Sequence, residues 1–214
     1  MRWLLIVAIL SLAGCSRDRR PLPPPRAPIP DFAAPAQSTL QCHADLRREG
    51  VSFRPLPDRA FGGGCTALGS VQLLEIGTPV SNLGAMTCPV ARQFARWTRE
   101  TVQPAARKWL GAQVVKIESM GTYSCRSLNG QAGAKLSEHG RANAVDIGAF
   151  QLANGRRLTV LAGWSGGDAH EQAFLRDVHR GGCNRFAIGL GPDANANHRD
   201  HLHFDLGTNG PYCR

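Results

Sequence analysis

The sequence predicts an α+β fold: one disulfide-stapled domain in which helices pack a small antiparallel sheet. Three observations carry that prediction. Helical and alternating apolar periodicities are interspersed over residues 38–214 without the strict strand-helix repeat of a parallel sheet. Six cysteines, Cys42, Cys65, Cys88, Cys125, Cys183 and Cys213, fall in that stretch, and none forms a Cys-x-x-Cys pair. The stretch is also long enough to bury a core of its own.

Met1-Arg2 is a minimal positive region, and Trp3 to Leu12 is an apolar run too short to span a membrane as a mature helix. Leu12-Ala13-Gly14-Cys15 then reads as a lipobox, which makes residues 1–14 a lipoprotein signal peptide and Cys15 the lipidated first residue. An ordinary secretory signal with a coincidental cysteine is the alternative. Residues 15–37 carry Pro21-Leu22-Pro23-Pro24-Pro25 and further prolines at 28, 30 and 35. In an extended polyproline path they form a tether reaching roughly 70 Å; a proline-rich ligand for another protein is the other reading.

Within the domain, the pattern predicts a helix near Gln41 to Glu49 and strands at Val51 to Arg54 and Ser70 to Glu75. A long amphipathic helix follows from Cys88 to Leu110, with Val90, Phe94, Trp97 and Val102 on its apolar face. A strand runs from Val114 to Ser119, and a helix from Ala169 to His179. Six cysteines in an exported domain indicate three disulfides and not thiolate metal ligands. The sequence leaves their connectivity open; the pairing adopted is Cys42 with Cys65, Cys88 with Cys125, and Cys183 with Cys213.

Two polar clusters carry the chemistry: Ser137-Glu138-His139-Gly140-Arg141-Ala142-Asn143-Ala144-Val145-Asp146 and His198-Arg199-Asp200-His201-Leu202-His203-Phe204-Asp205. They hold four of the seven histidines. Residues two apart on a strand share a face. His201, His203 and Asp205 therefore face one way, with Leu202, Phe204 and Leu206 opposite. Val145, Ile147 and Ala149 likewise oppose Ala144, Asp146 and Gly148. A continuous helix would separate His139 from Asp146 by about 10 Å. Gly140 and Asn143 indicate instead a loop that folds His139 back over the Asp146 strand. His139, Asp146 and one histidine of the second cluster then form a mixed three-ligand set with a fourth position for water, the catalytic type of zinc site.

The Ser-x-His motif with an aspartate seven positions after the histidine, followed later by His-x-His, resembles the lysostaphin, D-alanyl-D-alanine peptidase and hedgehog superfamily. That resemblance implies a hedgehog or DD-peptidase-like fold and puts the Zn2+ ligands on His139, Asp146 and His203. Upstream, Gly121-Thr122-Tyr123-Ser124-Cys125-Arg126-Ser127 resembles the Gly-Tyr-Arg-Ser strand of D-alanyl-D-alanine carboxypeptidases, whose arginine contacts the substrate; here that is Arg126. The whole layout, with Gly-Gly-Gly-Cys, Tyr-Ser-Cys-Arg, Ser-Glu-His and a closing Tyr-Cys, is similar to the bacterial extensin-like C-terminal domain family over roughly residues 40 to 214.

One departure matters. Asp200 stands where the carboxypeptidases have a glutamate as general base, and it is one methylene shorter. His198-x-x-His201-x-His203 is similar to the histidine pattern of the penicillin-insensitive murein endopeptidases, a resemblance that implies His201 or His198 as the group that orients the water or stabilises the oxyanion. Asp205 and Ser137 are expected to support the ligands from outside the metal; an ordinary polar strand residue is the other reading of Asp205. For Arg126 a solvated or ion-paired arginine is the plain alternative, and Glu138, His43, His170 and His179 read as ordinary surface or hydrogen-bonded residues.

The expected function is a zinc-dependent peptidase acting on amide bonds of peptidoglycan stem peptides, of the carboxypeptidase or endopeptidase type. A non-catalytic wall-binding or structural envelope lipoprotein is the alternative. The chain has 25 Lys plus Arg against 16 Asp plus Glu, a net charge of +9. Export, disulfides and the absence of a nucleic-acid motif turn this charge towards anionic wall polymer or lipid headgroups, with no nucleic acid; a generally basic solvated surface explains it equally well. The chain is expected to be a monomer in the cell envelope, held to the membrane through Cys15 and facing the periplasm. Ser16 favours the outer membrane over the inner.

Overall fold

The computed structural model describes residues 36–214. The signal segment, Cys15 and the proline-rich tether up to Pro35 lie outside the described residues. The helices are α1 (Gln37–Arg48), α2 (Cys88–Trp97), α3 (Gln103–Leu110), α4 (Val160–Gly166) and α5 (Ala169–Cys183). The strands begin with β1 (Ser52–Pro55), β2 (Arg59–Ala60), β3 (Thr66–Ala67), β4 (Ser70–Glu75), β5 (Val80–Ser81) and β6 (Met86–Thr87). They continue with β7 (Val114–Gly121), β8 (Ala144–Leu152), β9 (Arg157–Thr159), β10 (Ile188–Leu190), β11 (Leu202–Asp205) and β12 (Tyr212–Cys213). Among the described residues, no helix is long and apolar enough to cross a membrane.

The fold is α+β. Its main sheet has seven strands in the order β12-β10-β11-β8-β7-β5, with β9 on the far half of β8. The central pairings β10–β11, β11–β8 and β7–β8 are antiparallel, but the sheet as a whole is mixed, not antiparallel as expected. The two-residue strands β5 and β12 each join an edge in parallel, strands too short for alternation to reveal.

The register of β8 against β11 decides the site. His203 stands opposite Asp146, with Leu202 opposite Ile147 and Phe204 opposite Val145. Directly opposed residues put their side chains on the same face. One face of this pair therefore carries His203, Asp205 and Asp146, and the other sends Leu202, Phe204, Val145 and Ile147 into a core completed by Phe94, Trp97 and Phe174. Trp97 also donates from its indole to Val178 O in α5 at 2.8 Å.

The long helix expected from Cys88 to Leu110 is one helical run with a π-helical turn at Thr98–Val102 between α2 and α3. Pro104 explains the widening, because it has no N–H for the carbonyl four residues back and its ring crowds that carbonyl. Gly111 ends the run in the left-handed region, at φ 61°. α5 starts with the reciprocal Asp168–Glu171 capping box and continues past the expected end at His179 to Cys183. Gly181 and Gly182 are poor helix formers, yet both pack tightly against their neighbours, Thr101 and Phe204. A Cβ on Gly182 would lie 2.1 Å from Phe204 Cε1. α1 begins earlier than its apolar pattern, at polar Gln37.

Two of the adopted disulfide pairings are corrected. Cys42 bonds Cys88 and Cys65 bonds Cys125, whereas Cys183–Cys213 is as expected. The reason is packing. α1 lies along α2, tied by Arg92 and Arg96 to Glu49 at 2.7 and 2.6 Å, so Cys42 meets the start of α2. Cys65 follows the Gly-Gly-Gly turn and reaches the segment after β7 instead.

His43, read as an ordinary surface or hydrogen-bonded residue, is buried and, among the described residues, has no hydrogen-bond partner for Nε2, its ring 5.2 Å from that of Phe53. Burial first, then the charge of Arg47, lowers its pKa below 6.5. Below 6.5 the unfolded chain binds a proton that the native state resists, so this residue makes stability fall as pH drops from 6.5 towards the lowered native value. His43→Leu is expected to reduce that loss, which urea unfolding at pH 7 and pH 5 would read as a smaller drop in midpoint than in the parent. Equal drops in both proteins would contradict it.

Candidate metal centre

The turn carrying His139 is built from local capping. Ser137 Oγ accepts from His139 N at 3.3 Å, which starts the short helical turn Glu138–Arg141. Gly140 packs closely here: a Cβ would meet Leu136 Cδ1 at 2.8 Å and Cys65 Sγ at 3.2 Å. Ala142 closes the turn at φ 54°, a left-handed conformation that costs a non-glycine residue about 1–2 kcal/mol. Its amide donates to His139 O at 3.1 Å and its carbonyl accepts from Thr87 N at 2.7 Å. Glu138, read as a surface residue, braces the same turn by accepting from Asn143 Nδ2 at 2.7 Å.

This turn folds His139 back onto β8, as the two helix-averse residues indicated. His139 Nε2 lies 3.0 Å from Asp146 Oδ2 and 3.2 Å from His203 Nδ1, and His203 Nδ1 lies 2.8 Å from Asp146 Oδ1. All three residues are buried. The outer nitrogens fix the tautomers. His139 Nδ1 donates to the carbonyl of Thr122 at 2.6 Å, and His203 Nε2 donates to Asp205 Oδ2 at 2.8 Å. Asp205 is held in turn by Gly207 N at 2.7 Å on its other oxygen.

In neutral histidines these outer bonds turn the lone pair of His139 Nε2 and that of His203 Nδ1 onto the Asp146 carboxylate. Such a group needs a positive charge at its centre. Burial disfavours charge on His203, but the hydrogen bonds and charges of Asp146 and Asp205 outweigh it and push its pKa up to about 9. Burial likewise disfavours charge on Asp146, yet His139 and His203 hold its carboxyl well below the usual range. The donor set fits a zinc ion in place of that proton. Ligand atoms at ordinary zinc bond lengths are about 3.3 Å apart in a tetrahedron, close to the spacings here. The histidine–oxygen pairs outside the ligands are the supports such sites use.

His201 lies beside this set, with Nε2 3.7 Å from Asp146 Oδ1. Its Nδ1 donates to Asp200 Oδ1 at 2.8 Å, so the Asp200 carboxylate addresses the imidazole. His198 Nδ1 donates to Asn195 Oδ1 at 2.9 Å. Burial first, and then the charges of His203 and His201, lower its pKa to about 4. His198 is therefore neutral near pH 7, with an acceptor nitrogen to offer. A cavity of about 1,020 Å3 opens over the cluster, and Arg126, His139, Asp146, His198, His201 and His203 all line it. Arg126 is exposed and, among the described residues, makes no ion pair.

Residues 40–214 match the family described as extensin-like protein C-terminus. The chain belongs to that family. No curated protein and no solved structure matches it. The residues that sequence reasoning missed are mainly backbone and bracing groups of this family member: the Thr122 carbonyl, Asn195 behind His198, and Glu138. A carbonyl carries no residue signature. Thr122 could have been suspected only from its place at the end of β7, opposite the histidine turn.

Proposed function

We propose that this extensin-like domain is a zinc-dependent peptidase that hydrolyses amide bonds in peptidoglycan stem peptides in the cell envelope, held to the membrane through Cys15. The observation that carries this reading is the convergence of His139 Nε2, His203 Nδ1 and the Asp146 carboxylate on one point, under an open cavity and beside a carboxylate-oriented histidine. The motif-level resemblance to the lysostaphin and D-alanyl-D-alanine peptidase superfamily supports it.

His139, Asp146 and His203 would hold the ion, with Thr122 O and Asp205 fixing the imidazoles and Ser137 fixing the turn. Zinc bound there supplies an activated water and polarises the scissile carbonyl. With its Nδ1 proton engaged by Asp200, His201 presents the Nε2 lone pair as general base and returns the proton to the leaving amine. Asp200 acts through His201, which answers the difficulty of its short side chain. His198 offers an acceptor that orients the water. Arg126 is left to bind the substrate's carboxylate or carbonyl.

The test is His201→Ala, which is expected to lower kcat on a stem peptide by about 10²- to 10⁴-fold with zinc still bound. Asp200→Asn should cost about ten- to a hundredfold. An unchanged kcat in His201→Ala would remove the proposed base.

A further inference from the structure

Arg126 is not the only cation over the cavity. Residues Arg126 to Ser137 double back on themselves: Ser137 N donates to Arg126 O at 3.1 Å, Ser127 pairs with Leu136 in an antiparallel bridge, and Leu128 N donates to Lys135 O at 2.8 Å. In such a ladder 126 stands opposite 137 and 128 opposite 135. Positions 126, 128, 135 and 137 then share one face, because opposed residues point the same way and alternate positions repeat. All four line the cavity, and so does Leu136. The hairpin thus lays Arg126 and Lys135 over the metal cluster as diagonal neighbours, about 7–8 Å apart at the backbone.

The charge distribution singles this pair out. The cavity lining from residues 188–209 contains no lysine or arginine and offers Asn197, Thr208 and Asn209 instead. Arg141, the third lining cation, lies 3.3 Å from the Glu138 carboxylate. Among the described residues Lys135 has neither an ion pair nor a side-chain hydrogen bond, and it is exposed.

We infer that Lys135 is a specificity-determining residue, and that the preferred substrate is a peptide with two free carboxylates, one taken by Arg126 and the second, one or two residues away, by Lys135. Consecutive Cα atoms are about 3.8 Å apart, so that spacing spans the two cations. The inference rests on the peptidase reading, since it assigns the substrate class of the same site.

The experiment is a residue–ligand cycle on the zinc-loaded protein. Binding and cleavage of a synthetic dicarboxylate peptide are compared with those of the same peptide amidated at its second carboxylate, in the parent and in Lys135→Gln. Amidation is expected to weaken binding to the parent by about three- to tenfold at low salt, and to make no difference in Lys135→Gln. An equal loss on amidation in both proteins would overturn the inference even if both cleave the peptide. Binding coupled to Lys135 without any cleavage would support the inference and overturn the peptidase reading instead. No binding of either peptide to the parent would overturn the inference.

Discussion

His139→Ala is expected to abolish both stoichiometric zinc binding and stem-peptide cleavage while the domain stays folded. In the proposed centre His139 supplies one of three protein ligands, and its imidazole is fixed by the Thr122 carbonyl at 2.6 Å. Losing a partner outside the metal costs such sites about ten- to a hundredfold in affinity, and losing a ligand costs more. The fold should survive because the main-chain bonds of the turn, Ala142 N to His139 O and Ser124 N to His139 O, do not involve the imidazole. Added zinc should raise the Tm of the parent, because an ion that binds only the native state stabilises it, and should leave the Tm of the variant unmoved. Metal analysis and calorimetry would check this. Retained zinc in the variant would show that His139 is not a ligand.

Gly182→Ala is expected to destabilise the domain by about 1–3 kcal/mol, or roughly 3–10 °C in Tm for a chain of this size. The added Cβ would fall 2.1 and 2.3 Å from Phe204 Cε1 and Cζ. That ring is fully buried, with Phe186 stacked at 5.3 Å and Trp97 at 5.4 Å, so it has nowhere to move. Phe204 also lies between His203 and Asp205 on β11, and its displacement should lower zinc affinity as well. Gly166→Ala, where a Cβ would meet nothing within 4 Å, serves as the control and should leave stability nearly unchanged. Equal stability of the two variants would contradict the packing account of α5.

The site was more legible than the fold around it. His201, His203 and Asp205 stand at alternate positions, and Asp146 alternates with Val145 and Ile147, so period-two patterning was enough to put polar groups on one face and Leu202 and Phe204 on the other. Gly140 and Asn143 correctly marked a turn. The pattern did not show that Gly140 also packs against the Cys65 sulfur, because that depends on a disulfide between residues far apart in the chain. Connectivity failed for the same reason: Cys42 and Cys88 meet through the packing of α1 on α2, which no local signal encodes. The edge strands β5 and β12 are two residues long and carry no periodicity. The π-helical turn did have a signal in Pro104, which a purely apolar count over Cys88 to Leu110 passed over.

The most direct test of the central claim is zinc content per chain of the purified protein, measured alongside cleavage of a stem peptide. One zinc per chain with cleavage that disappears in His139→Ala is the predicted result. Zinc without cleavage would leave a metal that only stabilises a wall-binding domain. A parent protein that takes up no zinc would contradict the reading of His139, Asp146 and His203 as a metal centre.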